Sequence, residues 1–163
     1  MQKTYANSQS LVKNFIVAVV IFGYTIVTTQ FGFLPPLMGL FFAYMIIEYF
    51  TKQRTLNDFS AGWYFAILFM MFSEQIHGFY LFSSIVAFLI FFHFVCDWLF
   101  STMRWRNCLL AILVASGYIG TFLVNNLISY IKNTTLLSLS HEYVVYIVAE
   151  SILSIVLFRD RVL

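Results

Sequence analysis

Charged residues are scarce in this sequence: Asp, Glu, Lys and Arg make up only 10% of it, against about 25% in soluble domains. Hydrophobic residues account for 61% and aromatic residues for 20% of the 163 positions. This composition leaves too little polar surface for a domain in water. The chain is therefore predicted to be a single integral membrane domain whose surroundings are membrane lipids, with no nucleic acid among its partners.

Residues that carry chemistry are also few. The two cysteines, Cys96 and Cys108, lack the spacing of a zinc or redox site and are interpreted as small hydrophobic residues. The sequence has no glycine-rich phosphate loop, no nucleophile elbow, no HExxH motif and no paired-carboxylate motif. We therefore expect no enzyme activity, no catalytic residue, no cofactor and no metal.

Six apolar runs are separated by short polar segments. They predict an all-α bundle of six transmembrane helices at residues 14–31, 37–50, 59–72, 79–100, 108–131 and 143–158. Pro35 and Pro36 separate the first two runs, since proline cannot continue a helix. The second run has only 14 residues, so flanking aromatic residues or a thin bilayer must supply the rest of its span.

The basic residues test this helix count. Six spans place both termini and two of the five loops on one side, and that side then holds eight of the nine basic residues. They are Lys3, Lys13, Lys52, Arg54, Arg104, Arg106, Arg159 and Arg161, while the other side has only Lys132. Because cytoplasmic loops carry the Lys and Arg excess, both termini are predicted to be cytoplasmic.

Glu150 lies near the middle of the sixth run, where a charged side chain is costly. One interpretation is that it faces the bundle interior and binds a partner, a proton or a polar group. The other is that it is protonated and hydrogen-bonded to a neighbouring helix, through Asn125 or Asn126. These two asparagines are themselves expected to bond across helices.

Two further patterns fall within predicted spans. His93 and Asp97 lie four residues apart on one helix face, which suits a proton relay, half a metal site or, as we favour, a local pair near the cytoplasmic surface. Small residues recur at four-residue spacing in the fifth span, which lets helices approach closely. They are Ala111, Ala115, Ser116 and Gly120, and they predict a helix-packing seam, inside the bundle or against a partner.

The residues 33–95 resemble the first half of the MreD family of bacterial inner-membrane proteins. The resemblance consists of Pro35-Pro36, the following apolar span, the basic Lys52 and Arg54, Gly62, and Glu74 followed by Gly78. Glu74 stands where that family usually has Asp. The resemblance implies a scaffold subunit of the cell-shape and peptidoglycan elongation complex. Its implied main partner is MreC, a bitopic protein, with MreB, RodA and a penicillin-binding protein as wider partners.

A transport function is the alternative. Six helices with short loops also resemble the substrate-binding subunits of energy-coupling-factor vitamin transporters. In those subunits a pocket opens on the outer side, where this chain has Phe79, Tyr80, Tyr143 and Tyr146. Neighbouring genes would separate the two functions, since one predicts MreB and MreC genes and the other a pair of ATPases.

The polar segment 73–78 is predicted to be a tight outer turn between the third and fourth spans. It is either a solvated turn or a surface that binds a partner's membrane-proximal segment. The candidate partner-binding residues are Glu74, Gln75, His77, Phe79 and Tyr80. Aromatic residues beside the turn suit a protein interface and a membrane surface equally.

Overall fold

The computed structural model describes residues 16–55, 59–138 and 140–158, and this part of the chain contains six helices and no strand. The helices are α1 (Ile16–Thr28), α2 (Met38–Thr55), α3 (Ala61–Ile76), α4 (Ser83–Thr102), α5 (Arg106–Ile131) and α6 (Glu142–Phe158). Residues 92–96 of α4 form a π-helical segment. The all-α prediction is confirmed for the described residues.

Two helices, α4 with 20 residues and α5 with 26, are long and apolar enough to cross a membrane. Large apolar side chains face outward on several helices. Examples are Val20 (63% exposed), Leu68 (57%), Leu89 (58%), Leu123 (61%) and Val156 (74%). An apolar outer surface on a bundle with a well-packed interior is the arrangement that a lipid environment favours.

Several predicted boundaries were wrong by up to five residues. The second helix continues to Thr55, because the charged segment 51–55 is helical. The third helix ends at Ile76, so Ser73, Glu74 and Gln75 belong to α3 and only residues 77–82 connect it to α4. The polar residues 73–75 were predicted to form a turn because they are polar. They are helical instead, since the last turn of a helix can hold polar residues whose side chains form hydrogen bonds inside the protein.

The core lies between α2 and α5, which pack against each other and against α4 and α6. Phe42 of α2 is fully buried, and its ring meets Phe88 and Phe91 of α4 edge-on at 6.0 and 5.8 Å. On the other side of α2, Phe41 packs against Phe69 of α3, with ring centroids 4.1 Å apart. Phe22 attaches α1 to α3 by ring contacts to three phenylalanines, at positions 65, 69 and 72.

The two ends of the bundle differ. We call one the capped end: α1, α3 and α5 finish there and α2, α4 and α6 begin there. The opposite end, the basic end, includes Lys52, Arg104 and Arg106, whereas Lys132 follows α5 at the capped end. Four other residues of the predicted cytoplasmic charge lie outside the described residues: Lys3, Lys13, Arg159 and Arg161.

Candidate functional site: two buried carboxylates at helix starts

Among the described residues, Glu74 and Glu150 are the two acidic side chains buried in the bundle. Both side chains have no solvent exposure. A carboxylate in an apolar interior is costly unless hydrogen bonds satisfy its oxygens. In each case the donors include backbone amides from the first turn of another helix, which has four such amides without partners inside the helix.

Glu150 of α6 binds the start of α2. Its Oε2 accepts a hydrogen bond from the backbone N–H of Leu40 at 2.8 Å, and its Oε1 accepts one from the hydroxyl of Tyr118 on α5. Leu40 is the third residue of α2, so the acceptor lies at the positive end of the helix dipole. Glu150 therefore joins α2, α5 and α6. The predicted bond to Asn125 or Asn126 was wrong, because both asparagines bind other groups.

The connection between α1 and α2 enters the bundle to reach this carboxylate. Glu150 lies eight residues after the start of α6 at Glu142, which is roughly 12 Å along a helix axis. Two tyrosines hold the connection: the hydroxyl of Tyr24 donates to Pro35 O at 3.0 Å, and that of Tyr146 donates to Gly32 O. Non-helical backbone inside an apolar bundle is tolerated where protein groups satisfy its polar atoms.

Glu74 of α3 binds the start of α4 in the same way. Its Oε2 accepts from the backbone N–H of Phe82 at 2.8 Å, and its Oε1 accepts from the N–H of Ser84. The residue directly before each helix has a positive φ: 63° for Leu37 before α2 and 71° for Phe82 before α4. Bulky residues rarely adopt this conformation, so tertiary contacts must hold both helix starts in place.

His77 begins the connection from α3 to α4. Its Nδ1 donates to the backbone O of Ser73 at 2.9 Å, and its Nε2 lies 3.3 Å from the hydroxyl oxygen of Thr28 at the end of α1. Burial lowers the pKa of His77 below its ordinary value, and the hydrogen bond to Ser73 opposes that shift. Through these two contacts His77 joins the ends of α1 and α3.

Asn125 and Asn126 bind backbone of two connections at the capped end. The Oδ1 of Asn125 accepts from Tyr80 N at 2.8 Å. Asn126 pairs with Leu137 twice, donating to its O at 3.2 Å and accepting from its N at 3.0 Å. Both asparagines thus bind connections rather than helices. Lys132 also packs over the ring of Tyr80, with Nζ 4.4 Å from the centroid, a cation–π contact.

The five candidate partner-binding residues differ in their exposure. Gln75 is exposed and His77 and Tyr80 are half-buried, whereas Phe79 is 6% exposed and Glu74 is fully buried. Glu74 therefore presents no carboxylate to a partner, because both of its oxygens bind backbone amides inside the protein. Partner binding at this connection stays a prediction, and exposed Gln75, Leu81 and Phe82 are its accessible residues.

His93 and Asp97 are both exposed on α4, and His93 lies within the π-helical segment. Within residues 16–55, 59–138 and 140–158, no group of three or more His, Cys, Asp or Glu side chains could hold a metal ion. The proton relay or half metal site considered for this pair therefore gains no further ligand from the described residues.

The predicted seam of small residues on α5 lines two grooves on the outside of the bundle. Ala115, Ser116 and Gly120 line a groove of about 620 Å³ against α4, and Ala111 and Ala115 line one of about 440 Å³ against α6. Gly120 also lies close to α4, since a Cβ at this position would be 3.2 Å from the Cβ of Ala87. Gly39 and Gly117 mark a second close approach, between α2 and α5: added Cβ atoms there would lie 2.8 Å from Val114 O and from Phe42 Cβ. The predicted seam was confined to the fifth span and therefore did not include Gly39, although Ala43 follows it by four residues on α2.

Sequence reasoning also missed Tyr118, Leu40 and the connection through Pro35. The only signal was indirect: a glutamate in mid-span requires donors, and a helix that begins after two prolines offers them. A comparison of the chain with models of known protein families, with curated proteins and with solved structures finds no match.

Proposed function

We propose that this protein is a non-enzymatic scaffold subunit of a bacterial cell-shape and peptidoglycan elongation complex. It resembles the MreD family and binds an MreC-like bitopic protein in the cytoplasmic membrane. One observation carries the proposal: the buried side chains Glu74, Glu150 and Asn125 and the half-buried Asn126 all bind backbone of their own chain. These groups stabilise helix starts and connections, which is the use expected in a binding scaffold.

In this proposal all six helices cross the membrane, with the basic end in the cytoplasm. Helices α2, α3 and α6 have 18, 16 and 17 residues, near the lower limit of about 17–25 residues for a span. The hydrogen bond from Leu40 N to the Glu150 carboxylate supports six membrane-crossing helices, because a backbone amide inside a membrane needs a partner from the protein. The basic residues support the orientation.

Cysteine labelling tests the topology. In a variant without Cys96 and Cys108, Ser138→Cys is expected to react with a membrane-impermeant maleimide in intact cells, because it follows α5 at the capped end. Thr55→Cys, at the end of α2, should react only after permeabilisation. Gel-shift measurement of both sites decides the matter, and the reverse labelling pattern would contradict the six-span orientation.

Co-purification tests the partner. The exposed residues Gln75 and Leu81 are changed together to lysine, which should reduce capture of the MreC-like protein at least about tenfold, since an interface core is depleted of charge. Leu136→Lys, which is also exposed but lies in the connection from α5 to α6, is the control and should retain the partner. Membrane level and thermal midpoint are measured for all three proteins. Undiminished capture by a stable double variant would remove this connection from the interface.

A further inference from the structure

Three buried side chains of α4 and α5 carry polar atoms that have no hydrogen-bond partner among the described residues. These atoms are the hydroxyl oxygens of Ser84 and Thr121 and the amide nitrogen Nδ2 of Asn125. The three side chains are 0%, 2% and 1% exposed, so bulk water does not reach them. A buried polar group without a partner is costly, and a bound water or ion is a common explanation for one.

The packing around Phe42 places the two hydroxyls in one layer of the bundle. The ring of Phe42 on α2 meets that of Phe88 on α4 at 6.0 Å, and a Cβ at Gly117 of α5 would lie 2.8 Å from the Cβ of Phe42. One helical turn nearer the capped end, these positions become Ser84 on α4 and Thr121 on α5. Residues four apart lie on the same face of a helix, so both hydroxyls belong to the contact between α4 and α5.

The next turn toward the capped end has the same pairing of helices. Tyr80 precedes Ser84 by four positions, and Asn125 follows Thr121 by four. The backbone N–H of Tyr80 donates to the Oδ1 of Asn125 at 2.8 Å. That bond fixes which end of the amide is oxygen, because a backbone N–H needs an acceptor. The Nδ2 group of Asn125 is therefore a donor in the same contact as the two hydroxyls.

The two hydroxyls would pair with each other if they were in direct contact. Neither of them does so, and polar groups that face each other beyond about 3.5 Å are commonly bridged by water. An ion fits this place less well than water. A cation would be repelled by the hydrogens of Asn125 Nδ2, and an anion by the carboxylate of Glu74, which accepts from the N–H of Ser84. Water carries no net charge and can both donate and accept.

We propose that the contact between α4 and α5 binds one internal water molecule. The water accepts a hydrogen bond from Asn125 Nδ2 and pairs with the hydroxyls of Ser84 and Thr121. Three hydrogen bonds are the usual number for a buried water. Because Ser84 N also binds Glu74, the water completes the polar network that fixes the start of α4. The site depends neither on the membrane orientation nor on the partner proposed above.

Thr121→Val tests the water, because valine keeps the shape of threonine and removes only the hydroxyl. Loss of one partner of a bound water should lower the thermal midpoint in detergent by about 2–4 °C. A hydroxyl that binds nothing gives the opposite result, since its replacement by an apolar group removes the cost of burying it. An unchanged or raised midpoint in Thr121→Val would therefore overturn the proposal.

A double-mutant cycle tests whether the two hydroxyls share one water. Ser84→Ala should also lower the midpoint, and the double variant should lower it by less than the two single shifts added together. Ser154→Ala is the matched control, since Ser154 of α6 is fully buried and its hydroxyl is also unpaired within the described part of the chain. A lone hydroxyl does not hold a water, so this change should leave the midpoint equal or raise it. Additive shifts at positions 84 and 121 would contradict a shared water.

An experimental structure at a resolution that shows water reads the site directly. One water is expected within about 2.7–3.2 Å of both Thr121 Oγ1 and Asn125 Nδ2, and it should be lost in Thr121→Val. A dry contact in the unaltered protein, or a direct hydrogen bond between these side chains, would overturn the proposal. Co-purification with the MreC-like protein is a separate readout, so failure of the water site and failure of the proposed function can be told apart.

Discussion

Replacing Glu150 with leucine is expected to lower the thermal midpoint of the detergent-solubilised protein more than any other single loss of a polar group. The change removes both acceptors, so the Leu40 amide and the Tyr118 hydroxyl lose their partner inside the bundle. Each unpaired buried donor costs about 1–3 kcal/mol. The start of α2 also loses the acceptor that lies at the positive end of its dipole. We expect a clear destabilisation, read from thermal unfolding followed by tryptophan fluorescence.

Two further variants make this test specific. Glu150→Gln keeps one carbonyl acceptor and nearly the same side-chain volume. Its thermal midpoint should therefore lie between those of Glu150→Leu and the unaltered chain. Glu142→Leu, at the exposed first residue of the same helix, is the control and should change the midpoint little. Equal midpoints for the leucine and glutamine variants at position 150 would contradict the capping role of this carboxylate.

Gly39→Ala is expected to be the most disruptive change of one glycine. A Cβ at this position would lie 2.8 Å from the backbone O of Val114 and 2.8 Å from the ring of Tyr118. The backbone oxygen cannot move without shifting α5, so α2 and α5 must separate. Overpacking of this kind costs about 1–3 kcal/mol, and here it also displaces the Tyr118 hydroxyl from Glu150. Thermal midpoints in detergent measure the loss.

The same contact can be tested from the other helix. At Gly117 of α5 a Cβ would lie 2.8 Å from the Cβ of Phe42, so Gly117→Ala should also destabilise the protein. Gly23→Ala in α1 is the matched control, because nothing lies within 4 Å of its Cβ position. That change should be neutral or stabilising, by up to about 1 kcal/mol of helix propensity. Similar effects at positions 23 and 39 would refute the close approach of α2 and α5.

Much of the helical framework could be predicted from local sequence. The predicted fifth and sixth helices agree with α5 and α6 to within two residues at each end, because polar segments border their apolar runs. The larger errors fall at residues 51–55 and 73–76, where polar residues belong to a helix, and at residues 29–31 and 79–82, which were predicted to be helical but lie in connections. Hydropathy measures the cost of exposing a residue to lipid, and a polar side chain bonded within the protein avoids that cost.

The candidate site could be predicted only in part. Glu150 was recognised from its position in mid-span, since any carboxylate there needs donors. Its donors were not recognised, because Leu40 is 110 positions away and contributes a backbone amide that every residue carries. Glu74 was singled out in the sequence, but its predicted place in an outer turn was wrong. Its side chain points into the bundle and binds the start of α4, eight to ten positions later.

By itself the sequence determined the all-helical fold, the apolar outer surface and the difference in basic charge between the two ends. These properties depend on composition and on the order of neighbouring residues, and both can be read directly from the sequence. Only the tertiary structure decided which backbone amides the two carboxylates bind, where α2 begins inside the bundle, and that Gly39 and Gly117 bring α2 and α5 together. Such choices depend on which helix faces meet, and that is settled by packing the whole bundle at once.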